Sequence, residues 1–424
     1  MNKFNKFAAA AAAFALAAAS SSCGAPEAIT FGKSSQTALT VDGYEVPAGV
    51  FIYNEIYAYN TAQYELYSKN GQMPSLEDVK NATFESKGAV EWIQDQATQA
   101  CKDFVANEKE FEKIGGELSS DDLAEVKNIV AANSASKMFS ANGVGEESLR
   151  KIIENSYKSE AIFEHYYGID AEKGCSEDDL KKYYQDKTTR VKYFTISLLD
   201  DTGEEYDADE KRTLNKMADE YVKDINSETT NAKKLQKIDE CEEEYNKYVE
   251  KRTAEAAAKA AEEAGETVTT TTTTTTTAAS NETTTTTTTD PYANEVLVTK
   301  YTTTVAEESD DSNTTTTTLS ADQEAAKKSQ QDYNDYIFNK LTDYKAEKYQ
   351  YDDNTIYIVI KADIKERMTD DDLWSEDNIN SLLSERYYKD FQDMMKEIAE
   401  GFAVKKNNTA YSRYSPFKLN YDTE

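Results

Sequence analysis

Histidine is almost missing from this sequence of 424 residues, which has one, His165. A Ser/His/Asp or Cys/His catalytic arrangement would have to use that single side chain. It stands among aromatics in Phe163-Glu-His-Tyr-Tyr167 and reads as an interface or core residue. Cysteine is scarce as well, with 4 residues at 23, 101, 175 and 241 and no CxxC pair. That spacing indicates neither a disulfide framework nor a zinc site. The last three read as buried thiols, with a single bridge outside the cytoplasm as the alternative. The acidic runs Asp352-Asp353 and Asp370-Asp-Asp372 lack the spacing and the glycine of an EF-hand loop, and read as solvated turns and helix caps. No metal and no cofactor is therefore expected. Long hydrophobic runs are missing too. The one unbroken apolar run, Ala8 to Ala19, is shorter than the ~20 residues that span a bilayer. Positive charge is in deficit, with 79 Asp+Glu against 47 Lys+Arg and a net charge of -32. Such a surface repels nucleic acid and anionic headgroups, so no nucleic-acid partner is expected.

What is present begins with a secretory signal. Met1 to Phe7 is basic, Ala8 to Ala19 is apolar, and the small residues Ser20, Ser21 and Ser22 lead into Cys23. Two readings of that junction stand. Small residues running into Cys23-Gly24 resemble the lipobox of bacterial lipoproteins, which implies acylation of Cys23 and anchoring to the outer face of the cell membrane. The lipobox usually has Leu where this chain has Ser20. Cleavage among the small residues would instead give a freely secreted protein.

Aromatic residues are abundant, with 29 Tyr and 15 Phe, enough to build a core in a leucine-poor chain. Thr37 to Val46 reads as a strand-turn unit about Asp42-Gly43. Pro47 sits where a helix can start. The helix that follows, to about Tyr67, places Tyr53, Tyr57, Tyr64 and Tyr67 on one face. Further helical stripes are Val90, Ile93, Ala97, Cys101, Phe104 and Phe111, then Leu123, Val126 and Val130 behind the cap Ser119, then Leu149, Ile152, Ile153 and Phe163. Ser176 caps a short helix from Leu180 to Gln185. The period switches to two at Val191 to Leu198, a strand. One long charged helix is expected through Leu214, Tyr221, Ile225, Tyr245 and Val249. Threonine then fills 17 of the 23 positions from Thr267 to Thr289 and all of Thr314 to Thr318. Such tracts have no apolar period and cannot offset their ordering entropy by burial. Residues 265–320 read as a flexible insertion with one short strand at Glu295 to Lys300. A helix bearing Tyr333, Ile337, Leu341 and Tyr344, a strand at Thr355 to Ile360 and a last helix from Ile379 to Ile398 complete the chain. The last has an apolar stripe wide enough to demand a large packing partner.

The order of these elements resembles the bacterial extracytoplasmic foldases of the PrsA and SurA type. The turn Val41-Asp42-Gly43 followed by a helix near Pro47 is similar to their entry. Ser176 to Tyr184 is similar to the short helix before their parvulin-type prolyl isomerase domain. Arg190 to Leu198 resembles the first parvulin strand and Tyr357 to Asp363 the last. The likeness runs from about 38 to about 400 and lies in the order of elements rather than in any one motif. It implies an α+β protein: a mainly helical SurA-like chaperone domain with a small, degenerate parvulin-like α/β domain inserted before the C-terminal helix. The divisions are 1–22 signal, 23–36 tether, 37–186 helical chaperone domain, 187–365 parvulin-like domain with the insertion 265–320, and 366–424 a helix packing back on the N-terminal domain. The family's histidines are replaced at Thr195 and near Ile358, and its Gly-rich centre is missing. Thr195 could donate one hydrogen bond to a twisted amide, but reads as an ordinary strand threonine.

These readings combine in a membrane-anchored chaperone that holds newly exported or unfolded polypeptides by reversible contact, its isomerase activity lost. No catalytic residue is assigned. Tyr53, Tyr57, Tyr64 and Tyr67 are the candidate client-binding residues, because tyrosine offers large contact area with few rotors. The alternative is a surface display or adhesion lipoprotein with the threonine tract as spacer. An active isomerase is a third reading.

Overall fold

The computed structural model describes residues 36–200, 202–263, 292–301 and 321–421. The signal segment, Cys23, nearly all of the tether and both threonine runs lie outside these residues. The described chain is mostly helical with small antiparallel sheets, an α+β protein in the broad sense. It forms two compact units: residues up to Leu180 together with those from Glu376 onward, and Lys181–Ser375.

The first unit opens with the hairpin β1 (Thr37–Val41) and β2 (Tyr44–Pro47). Asp42 and Gly43 both take positive φ, 45° and 84°, as a tight two-residue hairpin turn requires. Pro47 is the N-cap of α1 (Ala48–Asn70), which Gly71 ends in the left-handed conformation. Val50, Phe51, Ile52 and Ile56 of α1 are fully buried. A capping box of Ser75 and Asp78 starts α2 (Leu76–Asn81), and the small hairpin β3 (Thr83–Phe84) and β4 (Lys87–Gly88) leads into α3 (Ala89–Lys113). α3 buries Ile93, Ala97, Cys101, Phe104 and Phe111, whereas Val90 lies outside the stripe and is exposed. A second capping box, Ser119 with Asp122, starts α4 (Ser120–Asn133). The short α5 (Lys137–Ser140) follows, then α6 (Glu146–Tyr167), which packs on α1, α3 and α4. His165 on α6 is exposed, edge-on to Tyr166 at 4.8 Å, so it is not a core residue. The last turn of α6 buries Phe163 and Tyr167 inward, which turns position 165 to solvent.

α7 (Glu177–Lys187) starts where the Ser176 hydroxyl accepts from the Asp179 N–H, and the chain enters the second unit within it. There β5 (Thr188–Ser197) is followed by α8 (Ala208–Ser227) and α9 (Asn231–Glu263). The single long helix expected over this stretch is two helices broken at Glu228–Thr230. They fold back on each other: Glu210 near the start of α8 meets Tyr248 and Arg252 far along α9. Ile225, Ile238, Cys241 and Tyr245 then share one core. β6 (Val296–Thr299), α10 (Ala321–Asn339), β7 (Glu347–Asp352) and β8 (Thr355–Ala362) complete a four-stranded antiparallel sheet of order β6-β5-β8-β7. Arg190 of β5, almost fully buried, reaches Glu295 at 3.3 Å and also Glu366, which fixes the start of β6 on the sheet.

From Glu376 the chain belongs to the first unit again. α11 (Glu376–Glu400) packs on α3 and α6, with Phe391 edge-on to Phe163 at 5.5 Å and to Tyr167 at 6.3 Å. β9 (Val404–Lys406) then pairs antiparallel with β1, and α12 (Asn408–Arg413) leads into a tail that crosses α1 and α3. Tyr411 of α12 lies 4.5 Å from Phe51, and Tyr421 in the tail stacks on Tyr59 at 3.8 Å.

Candidate functional site

Strand alternation gives the four-stranded sheet two different faces. Phe194, Ile196, Ile356, Ile358 and Ile360 point to one side and are buried with α8 and α9. The intervening positions of β5 and β8 point to the other side, where Tyr193 is opposite Val359 and Thr195 opposite Tyr357. β7 places Tyr349 opposite Tyr357, and a register shift between Gln350 and Asp352 brings Tyr351 onto the same face. α10 covers one end of this face, with Ile337 buried against Val191 and Val359. Its Tyr333 and Tyr336 reach along the strands towards the uncovered end.

The outcome is a continuous surface of six tyrosine rings. Tyr357 lies 5.0 Å from Tyr193, 4.6 Å from Tyr351 and 5.0 Å from Tyr333. Tyr349 lies 5.1 Å from Tyr333 and 4.5 Å from Tyr336. Tyr193 is 38% exposed, and Tyr301 at the end of β6 is 49% exposed. Burial raises the pKa of every ring hydroxyl whose shift is resolved here. For Tyr357 burial, helped by Tyr351, Tyr193 and Asp352, pushes it up to about 12. The Tyr333 hydroxyl is buried with no hydrogen-bond partner among the described residues. The face is a surface of packed rings with polar tips.

Charge at its rim is negative. Asp352 and Asp353 are exposed, and neither pairs with a cation among the described residues. Asp352 helps raise the Tyr351 hydroxyl, although burial is the larger cause. The lysines nearby are committed: Lys328 to Asp332, Lys345 to Glu347 and Lys361 to Asp343. β6 pairs only with Thr188–Val191, so beyond Val191 the outer side of β5 has no strand beside it among the described residues.

The residues assigned from sequence lie elsewhere. Tyr53 and Tyr57 of α1 are half-buried, 4.5 Å apart, with Tyr53 stacked on Phe139 at 5.4 Å. Tyr64 and Tyr67 are 50% and 44% exposed near the end of α1, 6.4 Å apart. The four thus form two pairs along one helix, the first packed on the core and the second facing water. Cys23 lies outside the described residues. Thr195 and Ile358 do not meet: Thr195 is exposed on the tyrosine face, while Ile358 is fully buried on the opposite face. The tyrosine face escaped sequence reasoning because β7 did. Glu347-Lys-Tyr-Gln-Tyr-Asp352 alternates polar and aromatic residues just before the Asp-Asn turn, and that alternation was the available signal.

Neither models of known families, nor curated proteins, nor solved structures match this chain.

The most perturbed carboxyl is in the first unit. Glu55 on α1 is fully buried, and neither of its oxygens has a hydrogen-bond partner within reach among the described residues. Burial holds its pKa well above the usual carboxylate range. The Gln94 amide opposes this only in part and itself donates to the Tyr411 carbonyl at 3.0 Å. The groups around Glu55 are neutral: Tyr59, Tyr411, Tyr421 and the Cys101 thiol, which burial pushes up to about 12. Among the described residues no cation pairs with Glu55, and burial disfavours its charged form.

Proposed function

We propose that this protein is an extracytoplasmic, lipid-anchored chaperone of the foldase type, which holds newly exported polypeptides by reversible contact and performs no isomerase chemistry. The observation that carries the reading is the tyrosine face of the second unit. Packed tyrosine rings with few rotors give large contact area at low entropic cost, and their hydroxyl tips tolerate the mixed polar and apolar surface of an unfolded chain. Prolyl isomerisation needs a shaped pocket with polar groups converging on one twisted amide. The positions of the parvulin histidines, Thr195 and Ile358, open to opposite sides of the sheet, which favours holding over isomerisation. In this reading the first unit and Cys23 serve as body and anchor.

The test is suppression of aggregation of a chemically unfolded client by the full mature chain. Tyr193→Ser combined with Tyr301→Ser, both at exposed rings, should raise several-fold the amount of protein needed. Tyr64→Ser with Tyr67→Ser should change it little. Turnover on a short proline peptide should stay at the uncatalysed rate. A wild-type chain that leaves aggregation untouched contradicts the proposal and favours the display or adhesion reading.

A further inference from the structure

We propose that the tyrosine face of the second unit selects extended polypeptide segments that carry lysine and arginine, over neutral or acidic ones. The inference rests on the holding function above and names its substrate class. Tyrosine ring faces are electron-rich and attract ammonium and guanidinium groups placed over them. Elsewhere in the same unit the chain's own arginines take that position, Arg252 over Tyr206 at 3.9 Å and Arg367 over Tyr292 at 4.5 Å. None of the six rings of the face has such a cation over it among the described residues. The exposed carboxylate of Asp352 acts on Tyr351 and Tyr357, exposed Asp353 follows it in the chain, and neither has a basic partner among the described residues, while the neighbouring lysines are already paired. Charge complementarity therefore points to a cationic occupant, and the net charge of -32 would draw one in from a distance. An extended segment suits the geometry better than a helix. Tyr193, Tyr357 and Tyr351 stand side by side on three adjacent strands, and beyond Val191 the outer side of β5, opposite β8, has no strand beside it among the described residues. A chain laid across them would set alternate side chains on the rings.

Three short fluorescein-labelled peptides provide the test. They share one background of Val, Thr and Tyr and differ only in carrying Lys/Arg, Gln or Glu at alternate positions. Binding to the full mature chain is read by fluorescence anisotropy at physiological ionic strength, where charges are screened over ~8 Å. The Lys/Arg peptide should bind several-fold more tightly than the Gln peptide, and the Glu peptide least. Tyr193→Leu keeps apolar area but loses the ring, and should weaken the Lys/Arg peptide about 2- to 30-fold while barely moving the Gln peptide. Asp352→Asn should act in the same direction. Equal binding of the Lys/Arg and Gln peptides, both sensitive to Tyr193→Leu, would overturn the charge selection and leave the holding function standing. Lys/Arg binding indifferent to both variants would mean adsorption to the acidic surface at large, and would also overturn it. No binding of any peptide would remove the holding function itself.

Discussion

Replacing Glu55 by Gln should stabilise the first unit, by an amount that grows with pH. A carboxyl whose pKa is raised on folding is neutral inside the protein and ionised in the unfolded chain over the interval between the two values. Unfolding then releases a proton, so the folded state loses stability as pH rises above the unfolded value of ~4.3. The limiting slope for one such group is ~1.4 kcal/mol per pH unit, continuing up to the folded pKa. At pH ~4 the wild-type acid and the Gln amide are both neutral and of similar size, and their stabilities should be close. Each further unit should widen the gap, since Gln has no proton to lose. Titrations elsewhere are common to both proteins and cancel. The assay is urea unfolding followed by Trp92, 3% exposed in the first unit, in a Trp374→Phe background that silences the second unit. A stability difference that stays constant between mildly acid and mildly alkaline pH would mean that Glu55 is solvated or paired, and would refute the reasoning.

Three further outcomes are expected. Phe391→Ala removes a buried ring between Phe163 and Tyr167 and should cost ~3–5 kcal/mol in the same Trp92 assay; a loss below ~1 kcal/mol would mean that α11 is not part of that core. Asn142 clasps the tail in both directions, donating to the Asn420 carbonyl at 2.6 Å and accepting from its N–H at 2.8 Å. Asn142→Ala should cost ~1–3 kcal/mol and speed tryptic cleavage at Lys418; unchanged cleavage would count against the clasp. If Cys23 is acylated, the mature protein should partition into detergent and Cys23→Ala should release it, with at least two acyl chains needed for stable anchoring; release of the wild type without acyl mass would end the lipoprotein proposal.

Elements with strong local signals were legible in the sequence. The Asp42-Gly43 turn, the caps at Ser119 and Ser176, the core strand at Val191 and the apolar stripe of α11 each rest on chemistry within a few residues. The misses have physical causes. The break at Glu228–Thr230 was marked only by the short polar cluster from Asn226 to Asn231, where the Thr230 hydroxyl accepts from the Lys233 N–H; the fold-back itself depends on the sheet that α8 and α9 both cover. β9 is three residues long and exists only because β1 offers an edge some 360 positions earlier in the chain. Leu123 and Val90 fit the helical period but face water, since period alone cannot say where a stripe ends. The tyrosine face was not legible for a related reason. Helical spacing brought Tyr53, Tyr57, Tyr64 and Tyr67 together on paper. The tyrosine face instead gathers rings from three strands and a helix spread from Tyr193 to Tyr357, a proximity that no local pattern encodes.

The central claim is that clients are held on that face, and hydrogen exchange of the full mature chain with and without a permanently unfolded client tests it most directly. The account predicts slower exchange in β5 from Tyr193 to Ser197 and in β7 from Tyr349 to Asp352, with α1 unchanged. Protection confined to the end of α1 around Tyr64 and Tyr67, or no protection in either strand while the client is bound, would contradict it.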